Sequence, residues 1–201
     1  MFYLRYKENM ADNVLREILR LKKTVFSFKE LLMFWPNTDT KILKSKINYY
    51  IKQGELYHIR RGLYSKDTHY DHLELATKIL IPSYISFETV LLSAGIIFQY
   101  YKSIFVATYQ SRNIICDGQE YTFKTIKSSV LTNTLGVEIK ENYSIASTER
   151  AFLDVIYLNK DYHFDNLAPL NWDKVYEILP IYENQRMAKM VKIYHESFKK
   201  D

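Results

Sequence analysis

The chain has 201 residues, 47% of them hydrophobic, enough for one medium domain or two small ones. Its single cysteine, Cys116, excludes an internal disulfide and any multi-cysteine zinc site. The net charge of +5 is unevenly spread: residues 1–66 carry 14 Lys/Arg against 6 Asp/Glu, a net of +8, whereas residues 67–201 carry 14 against 17, a net of −3.

Met1 to Met10 is charged and aromatic and lacks the apolar core of a leader. The longest apolar stretch, Val90 to Phe98, is interrupted by Ser93 and Gly95 and is too short to span a membrane. A cytoplasmic protein with no membrane partner is expected. Val14, Leu15, Ile18, Leu19 and Leu21 recur at helical spacing between Met10 and Lys23. Phe26-Ser27-Phe28-Lys29-Glu30-Leu31 reads as the start of a second helix, with Ser27 and Glu30 forming a capping box and Phe26 and Leu31 a hydrophobic staple. Pro36 ends it. The polar turn Asn37-Thr38-Asp39-Thr40 leads into a third helix, capped by Thr38 or Thr40, with Asp39 suited to its positive end. Gly54 is the expected left-handed stop.

On this third helix Leu43, Ile47 and Tyr50 point one way. Lys41, Lys44, Ser45, Asn48 and Lys52 fall on the opposite stripe. A short hairpin follows, Leu56-Tyr57-His58-Ile59-Arg60-Arg61-Gly62-Leu63-Tyr64, with Arg60 and Arg61 expected at its tip. A basic amphipathic helix followed by an arginine-tipped hairpin is the order in which a winged helix reads DNA. Lysines would contact phosphates or guanine edges, Asn48 an adenine edge, and the two arginines a neighbouring minor groove. The bland alternative is a solvated lysine face. The preceding helix-turn, the Gly-bounded hairpin and the +8 charge favour DNA.

The second half carries its own pattern. Glu74 to Leu80 is expected as a short linking helix, and Ser86 as the cap of a helix reaching Ala94, with Gly95 as its stop. Ser103 to Thr108 reads as a strand. Arg112 to Cys116 and Glu120 to Ile126 read as a hairpin around Asp117-Gly118. Val137 to Lys140 and Tyr143 to Ile145 form a further pair around Glu141-Asn142. Ser147 caps a helix through Asn159, and two helices around Pro180 follow Asn171. The predicted fold class is α+β: an N-terminal winged helix-turn-helix, residues 1–70, followed by a mixed α+β domain, residues 71–201, with C-terminal helices.

Two further constellations stand out. Asp117 with Glu138-Ile139-Lys140 has the Asp…Glu-x-Lys layout of metal-dependent nucleases, which use two carboxylates to hold Mg²⁺ and a lysine near the attacking water. Asp117 is already explained by its turn, and Glu-x-Lys is common on exposed strands. Glu149, Arg150 and Asp154 open an otherwise apolar helix, where Arg150 and Asp154, four apart, can pair. A structural network is the favoured reading of that trio, and a partner-binding or signal-sensing site the other. The five histidines show no ligand spacing, and His69 and His72, which could share a helix face near His58, have no acidic or cysteine partner set against them, so no metal and no cofactor are expected.

Taken in order, Phe26 to Leu31, Leu43 to Gly54 and Glu55 to Tyr64 resemble the winged-helix head of the AbiEi antitoxins. Tyr84-Ile85-Ser86-Phe87-Glu88-Thr89-Val90-Leu91, Ile104 to Thr108 and Ile145-Ala146-Ser147-Thr148-Glu149-Arg150-Ala151-Phe152-Leu153-Asp154 resemble the C-terminal domain of that family. The resemblance spans roughly residues 10 to 160. It implies the antitoxin of a type IV, abortive-infection toxin–antitoxin operon. Such an antitoxin represses its own operon and opposes a nucleotidyltransferase toxin, with no need of a stable complex; the +8 head and its polar stripe add the expectation of inverted repeats upstream of the chain's own gene as operator. The family links antitoxicity to the C-terminal domain. The expectation is therefore a DNA-binding repressor and not an enzyme. The alternatives are a metal-dependent nuclease with a winged-helix head and a protein-interaction adaptor.

Overall fold

The structure, a computed structural model, describes residues 14–199. The chain divides after Leu75 into two compact units, and each has its own sheet. The division falls five residues beyond the expected boundary at 70, inside a helix that runs from His72 to Ile79.

The first unit begins with helix α1, whose described part covers residues 14–20; the expected start at Met10 lies outside the described residues. Strand β1 (Val25–Ser27) leads directly into α2 (Phe28–Phe34), and α3 spans Thr40–Lys52. Strands β2 (Tyr57–Arg60) and β3 (Leu63–Ser65) close the unit. The sheet is antiparallel in the order β1-β3-β2. Ser27 does cap α2: its hydroxyl accepts from the Glu30 amide at 3.2 Å while the Glu30 carboxylate accepts from the Ser27 amide at 2.7 Å. Val25, Phe26 and the cap residue Ser27 itself pair with β3, forming a strand the local sequence did not announce. Asp39, not Thr38 or Thr40, caps α3, accepting from the Lys41 amide at 2.7 Å. Carboxylate and helix dipole act together there. Gly54 takes a left-handed φ of +75°, as a helix stop requires.

The core of this unit joins Leu15 and Ile18 from α1, Phe26 from β1, Leu31 from α2, and Leu43, Ile47 and Tyr50 from α3. Each fully buried aliphatic side chain contributes about 1.5–3 kcal/mol against conformational entropy. The core fixes the roll of α3 and so decides which of its residues face outward. The Glu74 carboxylate, in the same unit, is fully buried and accepts from both the amide and the hydroxyl of Thr24, each at 2.8 Å.

The second unit is built on a mixed six-stranded sheet in the order β6-β7-β5-β4-β9-β8. Its strands are β4 (Ser83–Ile85), β5 (Ser103–Thr108), β6 (Arg112–Cys116), β7 (Gln119–Thr125), β8 (Val137–Lys140) and β9 (Tyr143–Ala146). Helix α4 (His72–Ile79) spans the division, and the helices of the second unit proper are α5 (Glu88–Ser93), α6 (Ser128–Leu131), α7 (Thr148–Leu158), α8 (Trp172–Ile178) and α9 (Gln185–Phe198), with a 3-10 turn at Leu179–Tyr182 holding Pro180. Both hairpins form where expected. At the first, Asp117 and Gly118 have φ of +48° and +79°, the positive pair of a tight hairpin turn. The parallel pairings β5–β7 and β4–β9 join strands distant in sequence, and with β4 they were not foreseen. Ser147 caps α7, its hydroxyl accepting from the Arg150 amide.

Ser86 does not cap α5. Phe87 is the residue before that helix, makes no side-chain cap, and takes a left-handed φ of +56° although fully buried. Such a conformation costs about 1–3 kcal/mol, so packing must impose it. The turn frees the Ser86 hydroxyl for another partner.

Candidate functional site

The first candidate surface is the outer face of α3. Lys41, Lys44, Ser45, Asn48 and Lys52 are all exposed, while Leu43, Ile47 and Tyr50 on the other side are buried. No acidic residue occurs between Thr40 and Lys52. The Lys44 ammonium lies 5.8 Å from the centre of the Phe28 ring, which holds it against α2. The Ser45 hydroxyl donates to the Lys41 carbonyl at 3.1 Å and retains its acceptor lone pairs. Two apolar residues that sequence reasoning had not counted, Ile42 and Tyr49, share the exposed side.

The β2–β3 hairpin departs from expectation at its tip. Its turn is Arg61-Gly62, with Gly62 at a φ of +76°, and Arg60 is still in β2. Arg61 is exposed. Arg60 is half-buried, and its Nη1 is sealed from solvent without a hydrogen-bond partner. The ladder shifts register between His58 and Arg60, and Arg60 pairs with Leu63 of β3. The Phe28 amide donates to the Gly62 carbonyl at 2.8 Å, tying the hairpin turn to the start of α2. Three elements thus carry cationic side chains on one unit.

The second candidate is inside the second unit. Arg150 and Asp154 are fully buried and Glu149 nearly so. Arg150 donates to the Val130 carbonyl and the Leu135 carbonyl, both at 2.7 Å, and to the Tyr84 hydroxyl at 3.0 Å. Its guanidinium is flanked by the rings of Tyr84 and Tyr182, at 5.3 and 5.4 Å from their centres. The Asp154 carboxylate accepts from Tyr182 at 2.6 Å, Ser86 at 2.7 Å and Tyr84 at 3.0 Å. Tyr84 therefore accepts from the guanidinium and donates to the carboxylate. Burial pushes the Asp154 carboxyl above its ordinary value, opposed by Arg150 and the three hydroxyl donors. The Glu149 carboxylate accepts from the Asn171 amide at 3.2 Å, just before α8. Gly136, at a φ of +73°, lies against Arg150: a Cβ there would be 3.0 Å from the Arg150 Cβ and 2.7 Å from Ile178. Every polar atom of the Arg150–Asp154 pair is used inside the unit, which is the geometry of a structural clamp.

A neighbouring pair was also missed. Lys124 on β7 forks onto both carboxylate oxygens of Glu88, at 2.8 and 2.9 Å, and its ammonium lies 4.8 and 4.5 Å from the rings of Phe87 and Phe105. This cation is enclosed by its carboxylate and two ring faces.

The nuclease-like layout is not assembled. Asp117 follows β6 and Glu138 and Lys140 lie in β8, the two opposite edges of the six-stranded sheet. Five strand spacings of roughly 4.8 Å separate those edges. The two carboxylates cannot share a metal ion across that span. Among the described residues, no group of three or more His, Cys, Asp or Glu is placed to hold a metal. No helix among them is long and apolar enough to cross a membrane.

No protein-family model matches the chain, and no curated protein matches it at a significant level.

Proposed function

We propose that the N-terminal unit is a winged helix-turn-helix that binds DNA, with α3 as the recognition helix and the β2–β3 hairpin as the wing. The observation that carries this reading is the outer face of α3: three exposed lysines, Ser45 and Asn48, with no acidic residue along the helix. The element order also supports it. Three helices and an antiparallel three-stranded sheet alternate so that a two-residue arginine–glycine turn stands beside the start of α2. The +8 charge of residues 1–66 gives the unit long-range attraction for a polyanion.

With the AbiEi resemblance, the chain is a cytoplasmic transcriptional repressor and the antitoxin of a type IV toxin–antitoxin operon. Its partners are operator DNA with inverted repeats upstream of its own gene and a nucleotidyltransferase toxin. The second unit, with the Arg150–Asp154 clamp at its centre, carries the antitoxic role. An electrophoretic shift of the upstream region by the full chain tests the DNA part, and growth rescue of cells expressing the neighbouring nucleotidyltransferase tests the other. The doubly substituted Lys44→Ala, Asn48→Ala chain should lose affinity for the upstream fragment. Equal shifts by that variant and the parent would remove α3 from the account.

A further inference from the structure

Two apolar side chains interrupt the polar face of α3. Ile42 is 61% exposed and Tyr49 is 58% exposed. They are two helical turns apart, with Ser45 three residues after one and four before the other, so the three form a continuous line. Leu43, Ile47 and Tyr50 of the same helix are buried, so the fold had apolar positions to fill and left these two outside. Lys41 adjoins Ile42 in the first turn, and Lys52 lies one turn beyond Tyr49; both are exposed. The line is thus set among cations, with no carboxylate on the helix to offset them.

An apolar line enclosed by lysines suits a polyanion that displays an apolar group on its readable edge. In the major groove of DNA that group is the 5-methyl of thymine, which apolar side chains contact. We propose that Ile42 and Tyr49 are specificity-determining residues that read thymine methyl groups, with Ser45 between them placed for a base-edge hydrogen bond. The proposal rests on the DNA-binding reading of α3. Residues near the start of a recognition helix meet base edges, and Ile42 is in the first turn of α3. The recognised sequence should therefore contain thymines at one or two fixed positions whose methyl groups matter more than their hydrogen-bonding edges.

The test uses the full chain and a randomised duplex pool. The enriched duplex is then resynthesised with each thymine in turn replaced by deoxyuridine, which removes only the methyl group. Affinity should fall about 3- to 5-fold at one or two positions, the size expected for losing one buried methyl. Ile42→Ala and Tyr49→Ala should each bind the thymine and uracil duplexes equally at one of those positions. Both residues are exposed, so the variants should keep the parent's thermal stability. Selective binding with no response to uracil at any position, or a response that persists in both variants, overturns the proposal while leaving DNA binding intact. A shift of oligomeric state in the variants with unchanged methyl dependence assigns the line to a protein contact and also overturns it. If no duplex is enriched or bound, the DNA reading and this proposal fall together.

Discussion

The Arg150 guanidinium lies 3.5 Å from the carboxylate of Asp154, one turn further along α7, and neither side chain has any exposed surface. Spacing alone could place these residues together, but not inside. What makes burial tolerable is the set of partners around them: two carbonyls from the segment before β8, Ser86 after β4, and the tyrosines 66 residues before and 32 residues after Arg150. One ion pair thereby ties α7 to β4, to the β7–β8 connection and to the 3-10 turn.

Removing either partner should be strongly destabilising. Arg150→Ala or Asp154→Ala leaves a buried charge without compensation, an effect of about 3–5 kcal/mol. The double variant should cost less than the two single effects added together, because no lone charge remains. Denaturant unfolding of the three variants gives the coupling. Additive effects below about 1 kcal/mol each, as for an exposed pair, would contradict the clamp. Any loss of protection against toxin in Arg150→Ala must therefore be read beside its fold, by circular dichroism.

Alkaline pH should weaken the second unit in a defined direction. Burial, followed by the adjacent Asp154 carboxylate, raises the Tyr84 and Tyr182 hydroxyls well above their ordinary value. Burial also raises Tyr162, with Glu88 second. An unfolded chain ionises its tyrosines near pH ~10. Above that pH the folded chain binds more protons than the unfolded one, so its stability falls as pH rises. Below it, this contribution is fully present. Phenolate absorbance should show a fraction of tyrosines that titrate only together with loss of near-ultraviolet dichroism. Complete titration near the ordinary tyrosine value in a chain that stays folded would contradict the network.

Asp117 and Glu138 stand at opposite edges of the sheet, so neither should matter for metal-dependent hydrolysis. Incubation of DNA and RNA with the chain and Mg²⁺ or Mn²⁺ should give no cutting that depends on these residues. Cleavage abolished by Glu138→Ala would contradict this and revive the nuclease alternative.

Much of the local structure was legible because its causes are local. The Ser27–Glu30 capping box, the Asp117-Gly118 turn, the Ser147 cap and the buried stripe of Leu43, Ile47 and Tyr50 each depend on residues within a few positions of one another. What was not legible is non-local. Strand β1 is three residues long and overlaps the helix cap, so its propensity signal is absorbed by the cap. The parallel pairings of β5 with β7 and of β4 with β9 are set by sheet packing. Arg60 reads from sequence as a hairpin tip, but it pairs with Leu63 across the two-residue Arg61-Gly62 turn and so belongs to the strand. Ser86 reads as a helix cap because caps are common for serine, whereas a carboxylate 68 residues away claims its hydroxyl.

The claim that α3 and its neighbouring hairpin grip DNA is tested most directly by the salt dependence of binding. Log affinity of the full chain for its upstream region should fall linearly with log salt concentration. The Lys41→Ala, Lys44→Ala, Lys52→Ala variant should bind more weakly and reduce that slope by about three, roughly one unit for each lost phosphate contact. Arg61→Ala, at the exposed turn, should remove about one further unit. A slope unchanged by all four substitutions, with the parent still bound to the fragment, would contradict the account.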